Sequence, residues 1–176
     1  VEKKQINLPR YEHYKDSGID WIGELPAHWW LSKFKFIATV EKASLPKRLV
    51  GDSNYPVYMT MDYLRGGKAA QWVLDRTAKV VEKGEVLLLW CWSNAGEFIK
   101  RRRGVPPSTV AYIIFLNIEK SFGWYFTSVI ERQLRLTTVG MGIPHVSGLE
   151  LSNNLVTIPP LPEQTAIAQF LDHKTA

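Results

Sequence analysis

The chain has 176 residues, 45% of them hydrophobic, and 22 Lys+Arg against 17 Asp+Glu give it a formal charge of +5; this is the composition of one folded domain and excludes wholesale disorder or a fibre. A single cysteine, Cys91, excludes an internal disulfide framework and a thiolate-rich structural zinc site, so a reducing cytoplasm is the expected compartment. The longest apolar runs, Val86 to Trp92 and Val110 to Leu116, fall far short of the roughly 20 residues that cross a bilayer, and residues 1–30 carry no apolar signal-peptide core, so no membrane attachment is expected.

In chain order, residues 1–30 read as a turn-rich, extended arm carrying Trp21, Trp29 and Trp30, aromatic anchors that should pack it onto the body. Phe34, Ile37 and Ala38 stand at helical spacing and predict a short helix with Lys33 and Lys35 outside. Tyr55 to Thr60 predicts a strand entered at an edge proline, stopped beyond by Gly66-Gly67. Val80-Val81, the turn Glu82-Lys83-Gly84 and Val86 to Trp90 predict strand, turn and strand, and Val110 to Leu116 a further buried strand. Over residues 120–135 the period changes: Phe122, Tyr125, Phe126, Val129 and Leu134 share one helical face, which should cover the sheet. A loop through Gly140, Gly142, Pro144 and Gly148 leads to an extended Leu155 to Ile158, closed by Pro159-Pro160-Leu161-Pro162. A last helix is expected from Pro162, with Glu163 in its first turn and an apolar stripe of Ile167, Phe170 and Leu171. Isolated helices of this length are marginal in water, so the stripe calls for a continuation of the chain or an oligomeric partner. The expected fold is mixed α/β (α+β): a β-rich domain with a covering helix, then the start of another helix.

The positive charge is clustered. Lys33, Lys35, Lys42, Lys47 and Arg48 against Glu41 form one basic stretch, and Lys100-Arg101-Arg102-Arg103 with Arg132 and Arg135 form a second. Between them residues 51–95 are neutral, and residues 150–176 are acidic. Four consecutive cations are either a solvated hairpin tip or a phosphate-facing patch, since the guanidinium fork matches phosphate oxygens.

Catalytic constellations are missing from the sequence. There is no GxGxxG, Walker loop, HExxH or GxSxG. His13, His28, His145 and His173 are scattered without metal-ligand spacing. Glu97 and Lys100 lack the further acidic ligand that a nuclease needs, and Ser93 lacks an adjacent base. Neither catalytic nor metal-binding residues are assigned, and the polar loop residues point instead to binding.

The opening Tyr14-Lys15-Asp16-Ser17-Gly18-Ile19-Asp20-Trp21-Ile22-Gly23-Glu24-Leu25-Pro26-Ala27-His28-Trp29 and the closing Ile158-Pro159-Pro160-Leu161-Pro162-Glu163-Gln164 with Ile167-Ala168-Gln169-Phe170-Leu171-Asp172 resemble the specificity (S, HsdS) subunit of type I restriction-modification systems. Between them, Leu89-Trp90, Ser93 to Phe98, Ser108-Thr109 and Gly140 to Val146 are similar to a recurrent subgroup of target recognition domains. Cys91-Trp92 departs from the Asp-Gly common in that subgroup, which puts the local turn in question.

The resemblance implies an N-terminal arm (1–30), a target recognition domain (31–160) and the start of a conserved spacer helix (161–176). It implies a non-catalytic subunit that reads half of a split DNA site and docks methyltransferase (M) and restriction/translocase (R) subunits. S-adenosylmethionine, ATP and magnesium would then sit on those partners, with none bound by this chain. Phosphate contacts position such a protein and base contacts specify its site. Phosphate-side candidates are Lys47, Arg48, Lys100, Arg101, Arg102 and Arg103; base-edge candidates are Thr60, Tyr63, Arg65, Ser93, Asn94 and His145. Ile167, Phe170 and Leu171 would face a protein partner, through the spacer helix or by self-association. A recognition domain fused to a restriction-methylation enzyme, or a stand-alone DNA-binding protein, would share these features.

Overall fold

A computed structural model describes residues 10–100, 102–138 and 143–175. Apolar runs without alternation belong to strands covered on both faces, and Val86–Leu89 (β7) is buried at every position. It lies inside a four-stranded antiparallel sheet between Val110–Phe115 (β9) and the edge strand Phe98–Lys100 (β8), with Ala38–Lys42 (β4) on the far side of β9. The two-residue side-chain period divides β7 between two cores. Val86 and Leu88 enter the larger one with Phe34, Phe98, Ile113 and the helix Lys120–Leu136 (α2). Leu87 and Leu89 enter a smaller one with Met59, Leu64, Ile99 and Tyr112. The middle of the chain is β-rich with a covering helix, as expected, and the fold is mixed α+β.

The remaining strands form three small antiparallel pairs. Tyr14–Asp16 (β1) pairs with Glu24–Pro26 (β2), Trp30–Lys33 (β3) with Leu155–Ile158 (β10), and Leu49–Val50 (β5) with Trp72–Val73 (β6). Two short helices, Met61–Leu64 (α1) and Gly148–Asn153 (α3), precede the final helix Leu161–Thr175 (α4), which packs on α2.

Several local expectations are corrected. Only Phe34–Phe36 is helical, as a 3-10 turn, because Ala38 is already paired with Phe115 in the sheet. Tyr55 to Thr60 is not a strand; Val57 and Tyr58 make single bridges to Trp72 and Val105, and Thr60 turns to cap α1. Val81 makes one bridge to Gly104 and does not extend a strand. On α2 the buried stripe runs through Ile130 and Val129 is exposed, so the apolar face is rotated by one position at its centre. The helix α3 was unforeseen: Ser147 accepts from the Glu150 amide and caps it, and Gly148 opens it where a loop was expected. Along α4 the stripe is not bare throughout; Ala168 is buried and Ile167 packs on the larger core, while Phe170 is exposed.

Trp21 and Trp30 are exposed and do not anchor the arm, which instead buries Leu25 and makes polar contacts with α4. The Glu163 carboxylate, in the first turn of α4, accepts from Tyr11 Oη at 2.7 Å and Trp29 Nε1 at 2.9 Å, and also meets His28 Nε2. Burial favours the protonated acid, but the bonds from Tyr11, Trp29 and His28 outweigh it and leave the Glu163 pKa below its ordinary value of 4.5. Burial, reinforced by the Glu163 carboxylate, pushes the Tyr11 phenol up to about 12. A depressed carboxyl stabilises the fold above its unfolded-state pKa, and that stability is lost as pH falls below 4.5 through the folded-state value. Glu163→Gln should therefore cost about 1–2 kcal/mol at neutral pH and flatten the acid limb of the melting temperature. Parallel acid limbs in variant and wild type would show that Glu163 is not the latch.

Candidate nucleic-acid interface

The smaller core supports a cleft of about 350 Å³ between α1 and the loop that leaves β7. Met61 and Asp62 form its near wall on α1, which Thr60 caps, its hydroxyl accepting from the Tyr63 amide at 3.2 Å. Arg65 closes that helix and donates through both terminal nitrogens to the two Glu97 oxygens at 2.6 Å. The Glu97 carboxylate is also 3.4 Å from Arg135, itself tied to Glu131 on α2. Hydrogen bonding to Glu97 raises the Arg65 pKa further, so the guanidinium stays charged while acting as a strut between α1 and the 91–97 loop.

Cys91 to Asn94 form the far wall with Thr109. The turn is tightly specified: the Ala95 amide donates to Trp92 O, the Gly96 amide to Leu89 O, and the Trp92 amide to Pro144 O. The last bond, with the Cys91–His145 bridge, lays the segment after residue 142 alongside the loop. His145 is thus paired with Cys91 at the start of the loop, more than fifty positions away in sequence. Trp92 adopts φ 76°, the left-handed region that glycine enters freely and a bulky residue does not. The turn questioned at Cys91-Trp92 therefore forms, with backbone strain at the indole.

The cationic run is one feature in sequence and several in space. Lys100 lies on the α2 side of the sheet, its ammonium 5.9 Å from the centre of the Trp124 ring. Arg102 reaches the other side, 5.2 Å from the centre of the Tyr63 ring. Arg103 pairs with Glu82 at 3.1 Å, and Arg101 lies outside the described residues. Lys47 and Arg48 are exposed. A second cavity, of about 360 Å³, joins Lys47 to Asp75 and Tyr112 and therefore opens on the face of the smaller core. The Thr77 hydroxyl, with the Lys47 and Thr77 amides, holds the Asp75 carboxyl down at about 2, so this acid stays ionised beside the cations.

Thus α1 and the 91–94 loop share one cleft, His145 is bridged to that loop at Cys91, Arg102 lies over Tyr63 of α1, and Lys47 lines a cavity against the same smaller core, while Lys100 lies on the α2 side. Sequence reasoning missed Met61 and Asp62 as lining residues, because a four-residue helix has no readable period. Gly140, Met141 and Gly142, whose motif resembled recognition domains, lie outside the described residues. Glu97 and Lys100 do not converge as a nuclease pair. Among the described residues no group of three His, Cys, Asp or Glu could hold a metal ion, and no helix is long and apolar enough to cross a membrane.

Residues 26–176 match the family described as type I restriction modification DNA specificity domain. The chain belongs to this family. It is 30% identical over 152 residues to the type I restriction enzyme MjaVIII specificity subunit of Methanocaldococcus jannaschii, covering 84% of this chain and 36% of the relative. Among solved structures it is similar to the HsdS subunit from Thermoanaerobacter tengcongensis, with a TM-score of 0.66, 18% identity, and coverage of 91% of this chain and 39% of that one. The S subunit from M. genitalium gives 0.61, 12%, 82% and 38%. These two share the fold of the specificity domain, and the chain spans little more than a third of the length of the relatives it matches.

Proposed function

We propose that this chain is the DNA-reading domain of a type I restriction-modification specificity subunit, itself non-catalytic, which recognises one half of a bipartite site. The cleft that α1 shares with Ser93 and Asn94, with His145 bridged to Cys91 at its side and Arg102 over the Tyr63 ring of α1, carries the reading. In this arrangement Lys47, Arg48 and Arg102 hold phosphates, while Ser93, Asn94 and His145 address base edges in the major groove. Thr60 and Arg65 act mainly by shaping the cleft, since the cap and the Glu97 fork already engage their polar atoms.

Methyltransferase and restriction/translocase subunits are the protein partners in this reading, and S-adenosylmethionine, ATP and magnesium belong to them. The exposed Phe170 and the half-buried Ile167 and Leu171 on α4 support protein contact through that helix, by a spacer arrangement or by self-association. The proposed setting is the cytoplasm, where the DNA substrate lies.

Exchanging residues 31–150 for the corresponding segment of another family member should change one half of the methylated sequence and leave the other half intact. Sequencing of modified bases in cells carrying the hybrid reads the outcome directly. An unchanged methylation pattern would remove the assignment.

A further inference from the structure

We infer that Trp92 is a specificity-determining residue whose indole recognises the 5-methyl group of a thymine in the half-site; this rests on the DNA-reading function proposed above. Its backbone sits at φ 76°, a conformation that glycine adopts without strain and a bulky side chain does not. The turn therefore does not require tryptophan. Neither does the core, because Trp92 is 56% exposed and lies outside both buried clusters. An aromatic surface kept in water at a strained position has its use outside the folded chain.

Location identifies what it meets. Trp92 lines the cleft together with Asp62, Ser93, Asn94 and Thr109, immediately before the two loop residues with the shortest polar side chains. Such side chains read the donors and acceptors of base edges, and the one apolar group displayed on those edges in the major groove is the thymine methyl. A wedge driven between base steps is the other use of an apolar side chain on DNA. The loop does not favour it: the Trp92 amide is held by Pro144 O and its carbonyl by the Ala95 amide, so the turn is short and pinned, and the indole lines a cleft wall with Ser93 and Asn94.

The test uses the complete specificity subunit assembled with its methyltransferase, on duplexes in which each thymine of the half-site is replaced singly by deoxyuridine, which lacks only the methyl. One such replacement should weaken wild-type binding about 3- to 5-fold, the size expected for one buried methyl group. Trp92→Gly should lose a similar factor on the unmodified site and become indifferent to that replacement, while Trp92→Phe keeps part of the discrimination. Since glycine suits this φ, Trp92→Gly should melt at or above the wild-type temperature. Tolerance of every deoxyuridine, an unchanged deoxyuridine penalty in Trp92→Gly, or a half-site without an A·T pair would each overturn the inference. A fall in melting temperature with the loss of binding would assign the indole to packing and overturn it too. Failure of the underlying reading looks different: the wild-type complex would show no sequence preference in the half-site that the 31–150 exchange controls.

Discussion

Gln164→Leu should lower the unfolding free energy by about 2–4 kcal/mol, because one buried amide satisfies two backbone groups at once. Gln164 is fully buried; its Nε2 donates to Pro159 O at 2.9 Å, and its Oε1 accepts from the Glu119 amide at 2.8 Å. Glu119 in turn caps α2, accepting from the Phe122 amide at 2.6 Å. The side chain therefore fixes the beginning of α4 against the beginning of α2, the helix that covers the sheet. Leucine nearly matches the volume but leaves the Pro159 carbonyl and the Glu119 amide without these partners beside a buried side chain. For a chain of this size the melting temperature should fall by roughly 5–15 °C, and thermal unfolding followed by circular dichroism measures it. A shift within 2 °C would show that other groups or water satisfy these atoms.

Replacing Lys47, Arg48 and Arg102 together by alanine should weaken DNA binding about 10- to 100-fold at moderate salt, and the loss should be similar on specific and unrelated duplexes. Each phosphate contact releases about 0.9 counterion equivalents from duplex DNA, so three contacts steepen the log–log salt dependence by nearly three units. None of the three is the cation of an ion pair among the described residues, whereas Arg103 is neutralised by Glu82 and Arg65 by Glu97. Arg103→Ala is therefore the comparison that should cost least. Titrations across a range of salt concentrations read affinity and slope together; an unchanged slope in the triple variant would place the phosphate backbone elsewhere.

These expectations depend on structure that the sequence shows unevenly. The buried strands β7 and β9 were legible as continuous apolar runs bounded by turn residues, and the helix α2 because it is long enough for its period to show. The segment 55–60 was not, since its apolar alternation is met by single bridges to Trp72 and Val105 and not by a continuous ladder. Nor was α3, six residues long and started by a serine cap. At the candidate site the residue types were readable and their grouping was not. Lys100 and Arg102 are neighbours in a basic run, yet the alternation of β8 sends Lys100 towards Trp124 and the chain beyond brings Arg102 to Tyr63. Arg65 and Glu97 are 32 positions apart, and nothing local announces their fork.

By itself, then, the sequence determined the class of this protein. Composition and periodicity gave a basic domain with a buried β core and a covering helix, and the resemblance of two motifs, in order along the chain, pointed to a DNA specificity domain, because all of these are carried by neighbouring residues. Only the tertiary structure decided which cations and polar loops share a face, which of them are spent on internal pairing, and that Trp92 stands strained and exposed between them. Those properties arise where distant segments pack on opposite sides of one sheet, and burial against a partner far along the chain leaves no periodic trace in the residues on either side.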